Sequence, residues 1–384
     1  MSQLRIPAVY MRGGTSKGVF FLAEDLPSDS VERERLLLRV VGSPDRYGRH
    51  IDGMGGATSS TSKVVIVSRS QRPDCDVDYL FGAVSIEEPL IDWSGNCGNL
   101  TSAVGPFAIC SGLVAAPENG TARVRIWQAN VGRRIVAHVP VRNGEIVEEG
   151  DFEFAGLPFP SAEIRLDFLD PGGDGSMFPT GAVLDRLDVP GVGVVDATLI
   201  NAGNPTIFVD AGTLGLRGTE LQLDVNGDAE LLARAEALRA HGAVAMGLGA
   251  TAEEVSRRRP HTPKVVLVAS ASGYTTSDGR PVRESDIDLL ARIFSMGQLH
   301  HAMTGTGAVA IAAAAAVPGT LVHRLHASGA EGVVRFGHPS GAFRVGAETV
   351  HADGEWTVTR VTMSRSARRL MEGWVRVPAM AGSR

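Results

Sequence analysis

Two lysines sit where a proton could be moved. Lys17 lies near the end of Tyr10-Met-Arg-Gly-Gly-Thr-Ser-Lys-Gly18, and Lys63 closes Gly53-Met-Gly-Gly-Ala-Thr-Ser-Ser-Thr-Ser-Lys63. Among 384 residues there are three lysines against 34 arginines, the third lysine being Lys264. Arginine holds its proton near neutral pH, whereas lysine can give it up where the neutral amine is favoured. A lysine kept in a Gly-rich loop of so arginine-biased a chain is therefore a candidate general base, Lys63 ahead of Lys17. Chance or ordinary packing is the plainer account, and it stands for Lys264, which opens an apolar strand.

A thiol supplies the second chemical group. Cys97 stands in Asn96-Cys97-Gly98-Asn99, directly before a run with the character of a buried helix. A helix start offers free N–H groups and partial positive charge, which lowers a thiol pKa and attracts carboxylates. Met303-Thr304-Gly305-Thr306-Gly307 opens a second such helix. Two helix starts facing one cleft would hold a di- or tricarboxylate. Cys110, further along the Cys97 helix, reads as inert core. His300-His301 lies in a Gly/Met-rich turn with no partners at metal-binding spacing, so a polar-contact role fits it better than a metal site. Gly56–Lys63 and Gly13–Lys17 resemble phosphate loops in composition, but both lead into strands rather than helices.

The elements that must position these groups are mostly strands. Thr121–Trp127, Phe343–Ala347 and Trp356–Val361 alternate with period two, and Lys63–Val67 and Lys264–Val268 are fully apolar strand cores. Helical spacing covers Glu32–Val41, Asp228–Ala240 and Ser285–Phe294, with buried helices expected at Asn99–Val114 and Gly307–Val317. The turn-rich stretch Leu187–Gly193 divides the chain into residues 1–186 and 187–384. A weak repeat spans that division: Arg12–Phe21 matches Asn201–Val209, and Asn96–Leu100 matches Met303–Gly307. Two similar domains facing each other are expected.

Composition narrows the function classes. The net charge is −6 with scattered basic residues, which gives no nucleic-acid footprint. The start has no signal-peptide character, and the longest apolar run, Ala308–Val317, is too short to span a bilayer. The three cysteines form neither a metal pattern nor a disulfide framework. A soluble cytoplasmic protein is expected.

The runs at Tyr10–Gly18, Ile51–Lys63, Asp92–Asn99, Ser295–Met303, Phe336–Gly341 and Met363–Arg368 resemble the 2-methylaconitate cis-trans isomerase (PrpF) family, from about residue 5 to residue 377. The resemblance implies an α+β fold of two pseudo-symmetric diaminopimelate-epimerase-like domains. Each is a curved β-sheet wrapped around a central helix, with the cleft between them; packing of the last residues on the first domain is left open. In the epimerases a cysteine precedes each of two helix starts; here the first is Cys97 and the second place holds Thr304, whose hydroxyl is too weakly acidic for a two-thiol racemase. The resemblance further implies that Lys63 removes an allylic proton, with Cys97 as acid, second base or hydrogen-bond donor. It requires no cofactor and no metal. Carboxylate contacts are assigned to Ser16, Gly98, Asn99, Thr304, Gly305 and Thr306, with Lys17 as a binding or electrostatic residue and Ser62 and Ser340 as weaker candidates. The implied activity is isomerisation of 2-methylaconitate in the 2-methylcitrate cycle of propionate breakdown, functionally linked to an aconitase-like 2-methylcitrate dehydratase. The alternatives are a Δ-isomerase or tautomerase of 4-oxalomesaconate, methylitaconate or aconitate, and a non-catalytic accessory protein of the dehydratase. Neither membrane nor nucleic acid is an expected partner, and a homo-oligomer is left open.

Overall fold

Strands dominate because most apolar runs are short and bounded by Gly, Pro or Asp turns. The computed structural model describes residues 3–173, 176–326, 332–352 and 355–378. In the first half Gln3–Gly13 pairs antiparallel with Ser16–Leu22, which runs parallel to Lys63–Arg69. That strand is antiparallel to Val77–Val84, then come a parallel step to Asn119–Gln128 and an antiparallel one to Arg133–Arg142. The second half repeats these senses in order: Gly193–Ala202, Asn204–Asp210, Lys264–Ser270, Leu289–Ser295, Val333–His338 and Gly341–Ala352. Lys63 and Lys264 each open the third strand of this repeat. The two strands carry the same burial pattern, the first five residues buried and the last exposed.

Each half wraps one central helix. Thr101–Cys110 is buried from Thr101 through Ala108, and Gly305–Ala315 is buried along its whole length. A helix apolar on every side must be enclosed on every side, and both helices contribute to one continuous core. Their alanines and glycines let strands approach closely: a Cβ on Gly105 would lie 2.7 Å from a methyl carbon of Val139. The outer helices Ser30–Val41 and Ala229–Ala245 cover the opposite sheet faces. Asp29 and Asp228 cap them by accepting backbone N–H bonds.

Two expectations change. Ser285–Phe294 is not a helix: Glu284–Asp286 is one 3₁₀ turn, and Leu289–Ser295 is a strand buried at every residue. A short run buried on both faces has no periodicity with which to tell strand from helix. Cys110 is exposed at the end of its helix rather than in the core. After the second half the chain returns to the first. Glu355–Arg365 pairs with both Gly341–Ala352 and Ile164–Leu169, and Ala367–Pro378 pairs with Gln3–Gly13. The final residues, 379–384, lie outside the described residues. Among the described residues no helix is long and apolar enough to cross a membrane.

Candidate active site

Lys63 and Cys97 meet. The Gly-rich loop delivers Lys63 at the first residue of its strand, and its Nζ donates to Cys97 Sγ at 3.3 Å, both side chains being buried. The Phe81 ring lies under the amine, 5.4 Å from Nζ to centroid. Ser16 Oγ is 4.0 Å from the same sulfur. An amine, a thiol and a hydroxyl thus converge at the start of the helix that begins at Thr101.

The Cys97 loop is held from both halves. Tyr79 Oη and Thr101 Oγ1 donate to the Cys97 carbonyl. Asn204, from the second half, accepts from the Asn96 N–H at 2.8 Å and donates to the Asn96 carbonyl at 2.9 Å. The buried Asp92 carboxylate accepts backbone N–H bonds from Ser94 and from His261 across the halves. Gly98 and Gly305 then bring the two helix starts into backbone contact. A Cβ on Gly305 would sit 2.4 Å from the Gly98 carbonyl carbon, and one on Gly98 2.7 Å from Thr306 N. Any side chain there forces one helix away from the other.

The remaining sequence-derived candidates divide. Asn99 adjoins the thiol loop, but its side chain is engaged, donating to Thr15 Oγ1 and accepting from Arg365 Nε. Thr304 Oγ1 caps its own helix by accepting from Gly307 N. Thr306 Oγ1 accepts from Asn204. Ser62 Oγ bonds His50 Nδ1 and Ser340 Oγ donates to the His301 carbonyl, so both hydroxyls brace neighbouring loops. Lys17 follows Ser16 along one strand and so faces the opposite side of the sheet, its Nζ 5.5 Å from the Tyr10 ring centroid. It does not join the cluster.

Sequence reasoning missed a second buried amine. Lys264 Nζ donates to Ser295 Oγ at 2.8 Å and contacts His261 Nδ1 at 3.2 Å. Burial, and then the charge of Lys63, push the Lys264 amine down to about 7. His261, whose ring stacks on Phe81 at 5.3 Å, is held well below the ordinary histidine value, first by burial and then by Lys264 and Lys63. With Nδ1 facing Lys264, its Nε2–H faces the Asn96 carbonyl at 3.4 Å. His300 and His301 stack at 4.6 Å, and burial keeps both uncharged beside Lys63, which itself disfavours their protonation. The signal for Lys264 was present as the repeat Lys-Val-Val-Ile-Val against Lys-Val-Val-Leu-Val; its partners come from elsewhere in the chain.

The PrpF protein family matches residues 3–378. The chain belongs to that family. It is 59% identical to the 2-methyl-aconitate isomerase of Cupriavidus necator, over 99% of this chain and 98% of that one. It is 57% identical to the 2-methyl-aconitate isomerase of Shewanella oneidensis, over 98% of each. The crystal structure of a methylitaconate-delta-isomerase superposes over 100% of both chains with a TM-score of 0.76 at 38% identity.

Proposed function

We propose that this protein is an isomerase that interconverts the geometric isomers of 2-methylaconitate by moving one allylic proton. The observation that carries the reading is the 3.3 Å contact of a buried lysine amine with a thiol at a helix start, in a chain so close to two 2-methyl-aconitate isomerases.

The chemistry follows from the substrate. The CH2 that bears a carboxylate is weakly acidic, because its carbanion is delocalised over the adjoining double bond and a second carboxylate. The amine of Lys63, acting as base, takes that proton, and the former double bond loses its barrier to rotation. The resulting ammonium returns the proton to the same carbon after rotation, giving the other isomer with no net change in atoms or electrons. Free N–H groups at the helix starts, with Ser16, stabilise the carboxylates and the charge they acquire. Enclosure keeps water from reprotonating the carbanion. The protein would act in the cytoplasm after an aconitase-like dehydratase whose 2-methylaconitate has the wrong geometry.

One observation favours a second reading. Cys97 gives the site a second group able to carry a proton, 3.3 Å from the first. Delivery from sulfur to the far allylic carbon would shift the double bond, as in a Δ-isomerase of methylitaconate, 4-oxalomesaconate or aconitate. Proton NMR of these acids in D2O with the enzyme separates the readings. Deuterium entering the CH2 of 2-methylaconitate with cis/trans interconversion is the expected result. A migrated double bond as the sole product assigns the Δ-isomerase. No exchange in any acid, with full function retained in Lys63→Arg, assigns the non-catalytic accessory role.

A further inference from the structure

Arg365 is the most enclosed cation near this site, and among the described residues no carboxylate pairs with it. The residue is 0% exposed. Its guanidinium lies between two aromatic rings, 4.6 Å from the Phe154 centroid and 4.2 Å from that of Phe343. With both faces covered, only the edge of the planar group can form hydrogen bonds. Nε donates to Asn99 Oδ1 at 3.1 Å and Nη1 to the Ser364 carbonyl at 2.9 Å. Nη2 is buried and has no hydrogen-bond partner among the described residues. Leaving a charged donor buried and unpaired is costly, and a chain that retains one has a reason outside its own folding energetics.

The surroundings put this cation beside the thiol loop. Asn99, its acceptor, is two residues beyond Cys97, at the start of the Thr101–Cys110 helix. Burial pushes the Arg365 guanidinium down to about 9, with the Cys97 charge opposing that change. His338, pushed down to about 3 by burial, Arg292, Arg365 and His301, stays neutral beside it and supplies no counter-charge. The Gly13-Gly14 turn is shaped around the same pair of side chains. A Cβ on Gly14 would sit 2.7 Å from Asn99 Oδ1 and 3.2 Å from Arg365 Cδ, at a φ of +48°. The final segment is tied in as well, since the Ser366 carbonyl accepts from Gly14 N, Arg12 and Ser102.

We propose that Arg365 is a substrate-binding residue whose free guanidinium edge receives one carboxylate of the substrate. The proposal rests on the reading that the substrate is a tricarboxylate. The helix starts hold carboxylates through backbone N–H groups; Arg365 adds a fixed, planar, charged donor with a direction. It thereby selects acids that carry a carboxylate at that position over those that do not. Phe154 and Phe343 hold the plane of the guanidinium, so a lysine cannot replace it.

The test separates binding from structure. Arg365→Met puts an apolar side chain of similar length between the two rings and removes the uncompensated charge. Its melting temperature is expected to equal or exceed that of the wild type, while KM for 2-methylaconitate rises by about 30- to 100-fold and kcat changes far less. Arg365→Lys is expected to show most of the same KM loss. Calorimetric binding of propane-1,2,3-tricarboxylate should weaken in Arg365→Met by the same factor, and the variant should no longer distinguish that acid from its mono-amides. A KM within threefold of wild type in a folded variant overturns the proposal, as does failure of both variants to fold, which would assign the arginine to structure. Binding of propane-1,2,3-tricarboxylate does not depend on turnover. Its loss in Arg365→Met therefore supports the carboxylate site even where wild-type protein fails to isomerise 2-methylaconitate, and that failure counts against the proposed function alone.

Discussion

The two halves of the molecule begin their third strand with the same residue and use it differently. Lys63 and Lys264 open strands of matching sequence and burial. Yet Lys63 meets a thiol at a helix start, whereas Lys264 is enclosed by Ser295 and His261. The helix starts diverge in step. The first carries Cys97; the second carries Thr304, whose hydroxyl is spent on capping Gly307. One half has kept reactive groups at its helix start, and the other has turned the equivalent positions into supports. His261 is the link, with its backbone N–H on Asp92 and its ring between Lys264 and the Asn96 carbonyl. A duplicated framework therefore does not imply duplicated chemistry; the partners at each strand start decide it.

The sharpest way to break this comparison is to remove each amine in turn. Lys63→Met and Lys63→Arg should lower turnover by roughly a thousandfold or more with melting unchanged, as read by deuterium incorporation. Lys264→Met should retain turnover within about tenfold, because it acts through His261 and the Cys97 loop. Equal losses at the two positions would make the site a two-lysine centre and end the asymmetry.

Next in size is the contact between the helix starts. Gly305→Val must displace backbone and should cost about 1–3 kcal/mol in urea unfolding, with turnover falling further than stability because the Cys97 loop moves too. A variant of full stability and activity would show that the helix starts can separate freely.

Lys264 also makes a pH-dependent contribution. Its amine titrates near 7 when folded and near 10.5 when unfolded. Below pH 7 both states carry the proton and stability is independent of pH. Between about 7 and 10.5 only the unfolded state holds it, so stability rises with pH. The stability difference between Lys264→Met and wild type should favour the variant most at pH 6–7 and shift toward wild type as pH approaches 10. A difference independent of pH would mean that the amine is not desolvated. The smallest effect is at the cap: Thr304→Ala should cost about 1 kcal/mol and Thr304→Ser almost nothing.

What the sequence revealed depended on whether a residue's meaning was local. Lys63 and Cys97 could be singled out because residue type and loop context mark them, and the paired helix starts because glycine turns do; that the two side chains meet came from the fold. Leu289–Ser295 was misread because its burial comes from neighbours distant in sequence. Lys264 looked ordinary because His261 and Ser295 become its partners only in the folded sheet. Arg365 was one of 34 arginines; what distinguishes it is a buried, unpartnered Nη2 on a guanidinium bonded to Asn99 of the thiol loop, and that has no one-dimensional signature.

The pairing of the first strand with the last carries a consequence for how the protein is made. Gln3 lies opposite Pro378 and Gly13 opposite Ala367, so the strand synthesised first waits for the strand synthesised last. Until the final segment leaves the ribosome, Gln3–Gly13 presents one unpaired edge, the kind of surface on which nascent chains associate. Arg365 arrives in the same late segment. The carboxylate pocket assigned to it cannot close around an acid before that segment is made, and a chain lacking Ala367–Pro378 would present Lys63, Lys264 and the thiol without the strand that covers the edge of Gln3–Gly13.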